Sequence, residues 1–491
     1  MMKLEKLLEY LKPRSVTGSL DRFIRDLQYD SRKVEAEHAF IALRGFKTDG
    51  HQYVQEAYNR GARVFFLEEE QAVNDATVVC MADTREGMAK IARVFYNFPD
   101  HKLKIIGITG TNGKTTTAYL LHSILKFAHW QPGLISTIEY VIRGKRFAAE
   151  RTTPESLDLM RLFYQMVQKG LKSVVMEVSS HALALKRVEG VPFLAGVFTN
   201  LGRDHLDFHG NLENYFLAKR KLFENFNEYQ KVILNEDDPR SEDIQQVTKG
   251  EIFTYSMKNP RATVCYLSHE VLPGGMHLNL STPLGNLKLT STLIGMYNIY
   301  NIMAAVTTSI ALGFDEKFIL QGIRDLERIP GRCEYYPTPV RISIYVDYAH
   351  TPEGLQQILK AVWDTKPSRI IVVFGAGGDR DRGKRPQMGR AAEDFADLIF
   401  LTNDNPRSEE PEAIIAEIMA GIENTDKVVA IPDRREAILQ ALRQARTGDA
   451  VVIAGKGHEK FQEFKGVKYP FDDRAVIREF FEEKGWEFSS R

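Results

Sequence analysis

One segment of the chain combines glycine, lysine and threonine at a spacing that suits phosphate binding. It reads Gly110-Thr111-Asn112-Gly113-Lys114-Thr115-Thr116 and follows the apolar run 105–108. The glycines let backbone N–H groups approach phosphate oxygens, the lysine supplies a positive charge, and the Thr115 hydroxyl is a ligand for Mg²⁺. The strict pattern GxxxxGK[ST] is not met, because Ile108 replaces its first glycine. The order of strand, turn, Lys-Thr and a helix pattern from Thr116 favours a phosphate loop over a glycine-rich turn with an incidental lysine.

Two further polar residues have types that suit a metal site beside this loop. Glu177 ends the apolar run 173–178, and a carboxylate at the carboxyl end of a parallel strand is a natural Mg²⁺ ligand. A solvated loop residue is the alternative. Lys219 lies in a stretch that, taken alone, is an amphipathic helix with a basic outer face.

Three more loops follow apolar runs in the last third of the chain. They are the glycine-rich basic segment 374–386, the segment Asp404-Asn405-Pro406-Arg407 and the segment Gly455-Lys456-Gly457-His458-Glu459. Because carboxyl ends of parallel strands meet at one edge of a sheet, the loops are expected to converge on one ligand. A general phosphate or nucleic-acid patch is the alternative for segment 374–386.

The elements around these loops are typical of an α/β fold. Short apolar runs closed by Gly, Asn or Asp predict buried parallel strands at 104–108, 173–178, 196–199, 232–234, 342–346, 370–374, 398–401 and 450–454. Longer stretches at 156–168, 298–312 and 412–422 are predicted to be crossover helices. Breaks in periodicity at 96–101 and 329–332 place domain boundaries near 101 and near 333.

Composition excludes several classes of protein. The chain has 491 residues, 43% hydrophobic and 26% charged, which is typical of globular proteins and long enough for about three domains. Lys plus Arg and Asp plus Glu both number 65, so the basic excess of a nucleic-acid binder is missing. Cys80, Cys265 and Cys333 form no CxxC pair, which argues against a disulfide framework or zinc site and suits the cytoplasm. Neither a signal peptide nor a membrane-spanning run is expected.

The phosphate loop resembles the ATP loop of the Mur ligase family, and further segments match that family in order. They are Asp204-His205-Leu206-Asp207, the helix start at Asn298, the turn Pro330-Gly331-Arg332 and the segment Asp347-Tyr348-Ala349-His350. The resemblance covers nearly the whole chain. It implies three domains, each with a mostly parallel sheet and flanking helices: a UDP-muramoyl-binding domain (1–101), a central P-loop-type ATP-binding domain (102–333) and a Rossmann-like, amino-acid-binding C-terminal domain (334–491).

The resemblance also implies roles for individual residues. It assigns ATP binding to Gly110, Thr111, Asn112, Gly113, Lys114, Thr115, Thr116, Asn298, Asp347 and His350. It assigns catalysis to Lys114, Glu177, His205, Lys219 and Arg332, and two Mg²⁺ ions to Thr115, Glu177, His205 and Lys219. Lys219 would act as a carbamate, since an ammonium repels Mg²⁺ and a carbamate binds it. His209 is expected to be structural, and no redox cofactor is expected.

The acid substrate implied by the family is a UDP-linked muramoyl-dipeptide. The segments 30–34 and 45–51 resemble its UDP-binding segments, and the matching residues are Ser31, Thr152, Thr153, Ser179 and Arg187. An Asx- or Ser/Thr-type turn is the alternative for Ser31. Arg151 and Leu185 depart from the family, where some members have Asn and Gln.

The amino-acid substrate implied by the resemblance is meso-diaminopimelate, and its matching residues are Arg380, Asp404, Asn405, Pro406, Arg407, Gly455 and Glu459. Diaminopimelate has a second carboxylate that lysine lacks. Arg407 can bind that carboxylate with two parallel hydrogen bonds. With lysine bound, the guanidinium would lack this partner, and a buried group left without its partner costs about 1–3 kcal/mol of binding free energy. The alternative for this segment is a plain turn with a surface arginine.

Together these residues predict an ATP-dependent ligase that extends the peptide of the cell-wall precursor. The rivals are a lysine-adding ligase of the same subgroup, a folate polyglutamylating ligase and, from another class, a nucleotide-dependent binding protein without catalysis. The intact set Lys114, Glu177, His205 and Lys219 argues against the last. The expected partners are ATP, the UDP-muramoyl-dipeptide and diaminopimelate, without nucleic acid or membrane, and a monomer is expected.

Overall fold

The computed structural model describes residues 1–45, 48–272, 274–326 and 328–486. The chain forms two compact units, unit 1 at Met1–Thr254 and unit 2 at Tyr255–Arg491. Among the described residues, no helix is both long enough and apolar enough to cross a membrane.

Unit 1 contains fourteen complete strands and nine α-helices among its described residues. The strands are β1 (Met2–Lys3), β2 (Ser15–Thr17), β3 (Phe23–Ile24), β4 (Asp26–Gln28), β5 (His38–Ile41), β6 (Val64–Leu67), β7 (Thr77–Cys80), β8 (Lys104–Thr109), β9 (Pro132–Ile135), β10 (Glu139–Ile142), β11 (Lys145–Ala148), β12 (Ser173–Glu177), β13 (Phe193–Phe198) and β14 (Lys231–Asn235). The helices are α1 (Leu4–Leu8), α2 (Val54–Asn59), α3 (Thr84–Phe95), α4 (Lys114–Phe127), α5 (Ser156–Gln168), α6 (Ser180–Ala184), α7 (Leu206–His209), α8 (Leu212–Glu224) and α9 (Arg240–Gln245).

Two sheets organise unit 1. One has the order β2-β7-β6-β5-β4 and is parallel except at β2. The other includes the strand order β11-β10-β9-β12-β8-β13-β14, in which β9, β12, β8, β13 and β14 are parallel and β10 is antiparallel to both β9 and β11. Strand β8 (KIIGIT) is buried from its second residue on, as expected for a strand covered on both faces. The chain therefore leaves β8, β12 and β13 at the same edge of the sheet.

Unit 2 begins within β15 (Glu251–Ser256) and contains eleven more strands and seven α-helices among its described residues. The strands are β16 (Val264–Leu272), β17 (Gly275–Thr282), β18 (Gly285–Ser291), β19 (Glu334–Pro337), β20 (Ser343–Asp347), β21 (Ile370–Phe374), β22 (Leu398–Leu401), β23 (Val428–Ala430), β24 (Ala450–Ala454), β25 (Phe461–Phe464) and β26 (Val467–Pro470). The helices are α10 (Met296–Ala311), α11 (Glu316–Arg324), α12 (Pro352–Trp363), α13 (Lys384–Glu393), α14 (Pro411–Met419), α15 (Arg434–Gln444) and α16 (Asp473–Glu482).

The main sheet of unit 2 has the order β19-β20-β24-β21-β22-β23 and is parallel except at β19. Apolar clusters lie on both of its faces, one against α12, α13 and α14 and the other against α15 and α16. Strands β16, β17 and β18 form an antiparallel meander that continues from β15, with which β16 pairs in parallel. The loops after β20, β21, β22 and β24 all lie at one edge of the main sheet.

The structure confirms the α/β prediction and all eight predicted parallel strands, with shifts of a few residues at their ends. The meander β16–β18 was not predicted, because its strands alternate buried and exposed residues and lack continuous apolar runs. Helix α4 begins at Lys114, two residues before the predicted Thr116. Gly113 explains the shift, since its φ of +85° turns the chain directly into the helix at a cost that only glycine avoids.

Candidate active site

The phosphate loop connects β8 to α4, with its glycines at the carboxyl end of the strand. The ammonium of Lys114 turns back over the loop and donates to the carbonyl oxygens of Gly110 (3.0 Å) and Thr111 (2.7 Å). The backbone N–H groups of the first helical turn lie beside it, where a helix N-terminus favours negative charge. The loop thus presents a lysine and a helix N-terminus on one side, an arrangement that suits an anion.

The segment after β13 fixes the shape of this loop. The Thr199 hydroxyl donates to Asn112 O (2.6 Å), and Asn112 N–H donates to the side-chain oxygen of Asn200 (3.0 Å). The hydroxyls of Thr111 and Tyr215 lie 3.2 Å apart. The sequence did not indicate that Thr199, Asn200 or Tyr215 supports the phosphate loop, because their contacts join segments that are far apart in the chain.

Lys219 lies on α8 with its ammonium inside the protein. The residue is 1% exposed, Nζ donates to Gly110 O (2.6 Å), and it lies 4.3 Å from the centre of the Tyr215 ring. Burial, and then the charge of Lys114, hold the pKa of Lys219 well below its usual range. The neutral amine, which is the form that reacts with CO₂, is therefore favoured next to the phosphate loop.

Glu177 ends β12 and is paired in register with Ile108 of β8. The residue is fully buried, and its carboxylate accepts the backbone N–H (2.8 Å) and the hydroxyl (3.1 Å) of Thr137. Thr137 was missed from the sequence, since nothing in its segment marks it as a partner of a strand forty residues away. The carboxylate is thereby held at the same sheet edge as the phosphate loop.

His205 follows β13 and adopts a left-handed backbone, with a φ of +52°. Its Nε2 lies 3.3 Å from Asp204, and its ring lies 4.8 Å from that of His181. Burial lowers the pKa of His181 to about 4, which keeps that ring neutral. His209 is buried and bonds Ser180 Oγ at 3.0 Å, in agreement with the structural role expected for it.

The donor chemistry of this edge fits Mg²⁺. It offers the hydroxyl of Thr115, the carboxylate of Glu177 and, after carbamylation, an anionic oxygen from Lys219, which are hard ligands. Among the described residues, no three His, Cys, Asp or Glu side chains cluster as a ready-made metal site. A metal bound here would therefore need the hydroxyl, a carbamate on Lys219 and ligands from a bound phosphate in addition to Glu177.

The residues expected to contact the muramoyl-dipeptide gather beside β12. Thr153 Oγ1 donates to Glu177 O (2.9 Å) and accepts the N–H of Ser179 (3.0 Å). Thr152 Oγ1 lies 3.0 Å from the hydroxyl of Thr137, the residue that also bonds Glu177. These contacts hold the residues predicted for the dipeptide and the residue predicted for the metal in one arrangement.

Arg187 completes this group, but it is already paired. It is buried, donates to Thr153 O (3.2 Å) and forms an ion pair with Glu155 (2.9 Å). Glu155 also pairs with Arg85 at 3.3 Å. The sequence did not indicate Glu155, and an incoming carboxylate would share Arg187 with it.

Ser31 follows β4 of the five-stranded sheet, and its hydroxyl is also hydrogen-bonded within the protein. Its hydroxyl donates to Glu56 (2.9 Å), and Asp30 accepts the N–H of Arg32 (3.1 Å), which is the turn given as the alternative for this segment. In the predicted segment 45–51, Phe46 and Lys47 lie outside the described residues. Asp49 bonds the ring of His51 at 2.6 Å.

Unit 2 contains the remaining nucleotide candidates. Asn298 is buried at the start of α10, where its amide donates to Ile294 O (2.9 Å). Arg332 lies 4.9 Å from the centre of the Tyr348 ring, and Asp347 accepts the N–H of Cys333 (2.6 Å). His350 is exposed after β20. Burial raises the pKa of Asp347, which Arg332 partly offsets.

The three predicted amino-acid loops do converge in unit 2. Gly378 N–H donates to Asn405 O (2.9 Å), Arg407 donates to Gly378 O (2.5 Å), and the Asn405 amide donates to Glu459 (2.9 Å). Gly455 has a φ of +110°, and a Cβ there would lie 2.5 Å from Asp404 Oδ2. The loops after β21, β22 and β24 thus contact one another, and the glycine at 455 lets the Asp404 carboxylate approach the end of β24 closely.

The remaining residues predicted for diaminopimelate differ in exposure. Pro406 is buried, Arg380 is exposed, and Arg407 is partly buried with a φ of +52°. The backbone of Arg407 is paired with the β25–β26 hairpin, where its N–H donates to Glu463 O (3.0 Å). Its Nε lies 3.6 Å from the Glu463 carboxylate. The hairpin is therefore the element that holds Arg407 in place.

Family models and known proteins resemble this chain along most of its length. Family models match residues 24–96 (Mur ligase family, catalytic domain), 108–309 (Mur ligase middle domain) and 331–457 (Mur ligase, glutamate ligase domain). A protein from Geobacillus kaustophilus, called UDP-N-acetylmuramoyl-L-alanyl-D-glutamate--2,6-diaminopimelate ligase, is 42% identical and covers 99% of this chain and 100% of its own.

Two solved structures extend the likeness to the fold. One, described as the structure of UDP-N-acetylmuramoyl-L-alanyl-D-glutamate--2,6-diaminopimelate ligase, matches with a TM-score of 0.69 at 32% identity, covering 94% of this chain and 96% of the other. Folylpolyglutamate synthase of Mycobacterium tuberculosis, complexed with ADP and AMPPCP, matches with a TM-score of 0.63 at 17% identity, over 75% and 92%. The second shows a shared fold alone. With a relative at 42% identity along its whole length, the chain belongs to the Mur ligase family.

Proposed function

We propose that this chain is an ATP-dependent, ADP-forming ligase that adds meso-diaminopimelate to UDP-MurNAc-L-Ala-D-Glu in peptidoglycan precursor synthesis. The observation that carries the choice of amino acid is Arg407 beside the bonded pair Asn405 and Glu459. An arginine fork suits the second carboxylate of diaminopimelate, and a glutamate suits an ammonium group. The full-length relative that has this activity in its name supports the proposal.

The reaction has two steps in this proposal. The γ-carboxylate of the D-glutamyl group attacks the γ-phosphate of ATP, which gives an acyl phosphate and ADP. The amine of diaminopimelate then attacks the acyl carbon, an amide bond forms, and phosphate leaves. Phosphoryl transfer depends mainly on positioning and on neutralising charge. Lys114 would hold the phosphates of ATP for the first step, and Arg332 is the cationic candidate in unit 2.

The substrate sites follow the predicted residue sets. ATP is assigned to Gly110, Thr111, Asn112, Gly113, Lys114, Thr115, Thr116, Asn298, Asp347 and His350, the muramoyl-dipeptide to Ser31, Thr152, Thr153, Ser179 and Arg187, and diaminopimelate to Arg380, Asp404, Asn405, Pro406, Arg407, Gly455 and Glu459. The proposed domains remain 1–101, 102–333 and 334–491. Action in the cytoplasm as a monomer completes the proposal.

The proposed cofactor is Mg²⁺, as two ions, with Thr115, Glu177, His205 and carbamylated Lys219 as its protein ligands. When bound, Mg²⁺ would offset the negative charge of the transferring phosphoryl group. The carbamate forms when the neutral amine of Lys219 bonds to CO₂ and releases a proton. The carbamate is supported by the position of that amine beside Lys114, since both ammonium nitrogens donate to Gly110 O. A second positive charge is unfavourable there, and a negative charge is favourable.

The experiment is an assay of ADP release with purified protein, ATP, Mg²⁺ and the UDP-muramoyl-dipeptide. Sustained release should need an added amino acid, meso-diaminopimelate should be preferred to L-lysine, and mass spectrometry should identify the UDP-muramoyl-tripeptide. Preference for L-lysine would replace the proposal by the lysine-adding activity. ADP release that depends on neither the UDP-muramoyl-dipeptide nor the amino acid, or no release at all, would contradict a ligase of this kind.

A further inference from the structure

Lys456 is a fully buried cation that no role described so far uses. It follows Gly455 at the end of β24, and its side chain is 0% exposed. A buried lysine is costly unless its charge is paired and its donors are bonded. The partners that surround Lys456 are the residues proposed to receive the amino acid.

The ammonium of Lys456 bonds two of these residues at once. Nζ donates to Asn405 Oδ1 (3.1 Å) and to Glu459 Oε2 (3.1 Å), and it lies 3.9 Å from Asp404 Oδ1. The Asn405 amide closes the triangle by donating to the same oxygen, Glu459 Oε2 (2.9 Å). Both bonds to Glu459 thus go to one carboxylate oxygen, Oε2, so Oε1 is the oxygen that we assign to a ligand.

Both polar atoms of the Asn405 side chain are already hydrogen-bonded within the protein. Its Oδ1 accepts from Lys456 and from the N–H of Glu463 (3.0 Å), and its amide nitrogen is given to Glu459. Asn405, which is predicted to contact diaminopimelate, therefore mainly connects the loop after β22 to the loop after β24.

We propose that Lys456 is a positioning residue for the amino-acid substrate, acting through Glu459 and Asn405. Its ammonium fixes the rotation of the Glu459 carboxylate, so that Oε1 meets an ammonium of the incoming amino acid. This inference rests on the proposed function, because it takes the space between the three loops as the amino-acid site. A cation that only stabilises the fold would not select among the three substrates.

The test compares steady-state kinetics of K456M, K456Q and the wild-type protein, with K460M as a matched control. Lys460 is exposed and four residues along the same segment. Both Lys456 variants should raise KM for meso-diaminopimelate by about tenfold or more, the effect of losing charge-assisted hydrogen bonds, while KM for ATP and for the UDP-muramoyl-dipeptide stays within about twofold. K460M should match the wild type.

A double-mutant cycle with E459Q identifies the route of the effect. If Lys456 acts through Glu459, K456M should change KM for diaminopimelate much less in the E459Q background than in the wild type. Independent, multiplicative effects would overturn the proposal. So would an unchanged KM, an equal rise for all three substrates, or the failure of both Lys456 variants to fold. Activity of the wild-type protein is measured first, and its absence would refute the proposed function and not the role of Lys456.

Discussion

Replacing Arg407 with alanine tests the choice of amino acid most directly. The guanidinium has five N–H groups, one of which is given to Gly378 O (2.5 Å), while Nε faces Glu463 at 3.6 Å. A ligand carboxylate takes two of the others, and hydrogen bonds to charged groups contribute about 1.5–3 kcal/mol. The preference for meso-diaminopimelate over L-lysine should therefore fall roughly 10- to 150-fold in kcat/KM.

The assay measures amide formation with each amino acid at saturating ATP and UDP-muramoyl-dipeptide. Most of the change should appear as a loss with diaminopimelate, since lysine lacks the second carboxylate that is assigned to Arg407. R407K keeps the charge without the fork and should lie between wild type and R407A. R390A is the surface control, because Arg390 is 64% exposed and paired with Glu423. An unchanged ratio in R407A, or an equal loss for both amino acids, would refute this assignment of specificity.

Three further predictions concern the phosphate loop and stability. Lys114→Ala should abolish amide formation while circular dichroism and Tm stay near those of the wild type; retained product formation would contradict the proposed phosphate contact. Burial lowers the pKa of His122 to about 4, so the folded protein favours the neutral ring. Its contribution to stability should be complete above pH 6.5 and fall as the pH drops toward 4, and urea unfolding of His122→Gln should show a shallower loss over that range. Arg434 and Asp473 form a fully buried two-bond pair at 2.7 and 2.8 Å, so Asp473→Asn should reduce the free energy of unfolding by about 3–5 kcal/mol; a loss near zero would show that the pair contributes little.

Structural features that depend on one short segment of sequence could be predicted well. The parallel strands were found because each is a short apolar run, and the phosphate loop because strand, glycines, lysine and helix follow one another within fifteen residues or so. The convergence of the loops after β21, β22 and β24 also followed from one rule about parallel sheets. In each case the information lies within one segment or in strand direction alone.

Features that depend on long-range partners could not be predicted. Thr137 bonds Glu177, Glu155 pairs with Arg187, and Lys456 bonds Asn405, all across separations that leave no mark in either segment. A buried lysine has the same letter as a surface lysine, so sequence alone assigned Lys456 no role. Physical pairing decides these cases, because a buried charge must find its partner wherever the fold brings one.

The attachment of residue 407 to the β25–β26 hairpin has a consequence for how substrate choice could change. Its backbone N–H donates to Glu463 O, and its carbonyl accepts the N–H of Lys465 (2.6 Å), so the main chain is anchored whatever side chain it carries. New side chains could be exchanged at this position without rebuilding the loop. The left-handed backbone, with φ at +52°, restricts that exchange to glycine, asparagine and unbranched residues, since valine or isoleucine would be strained. Under the proposed role of Arg407, a change of amino-acid substrate through this position would therefore draw on a small set of replacements.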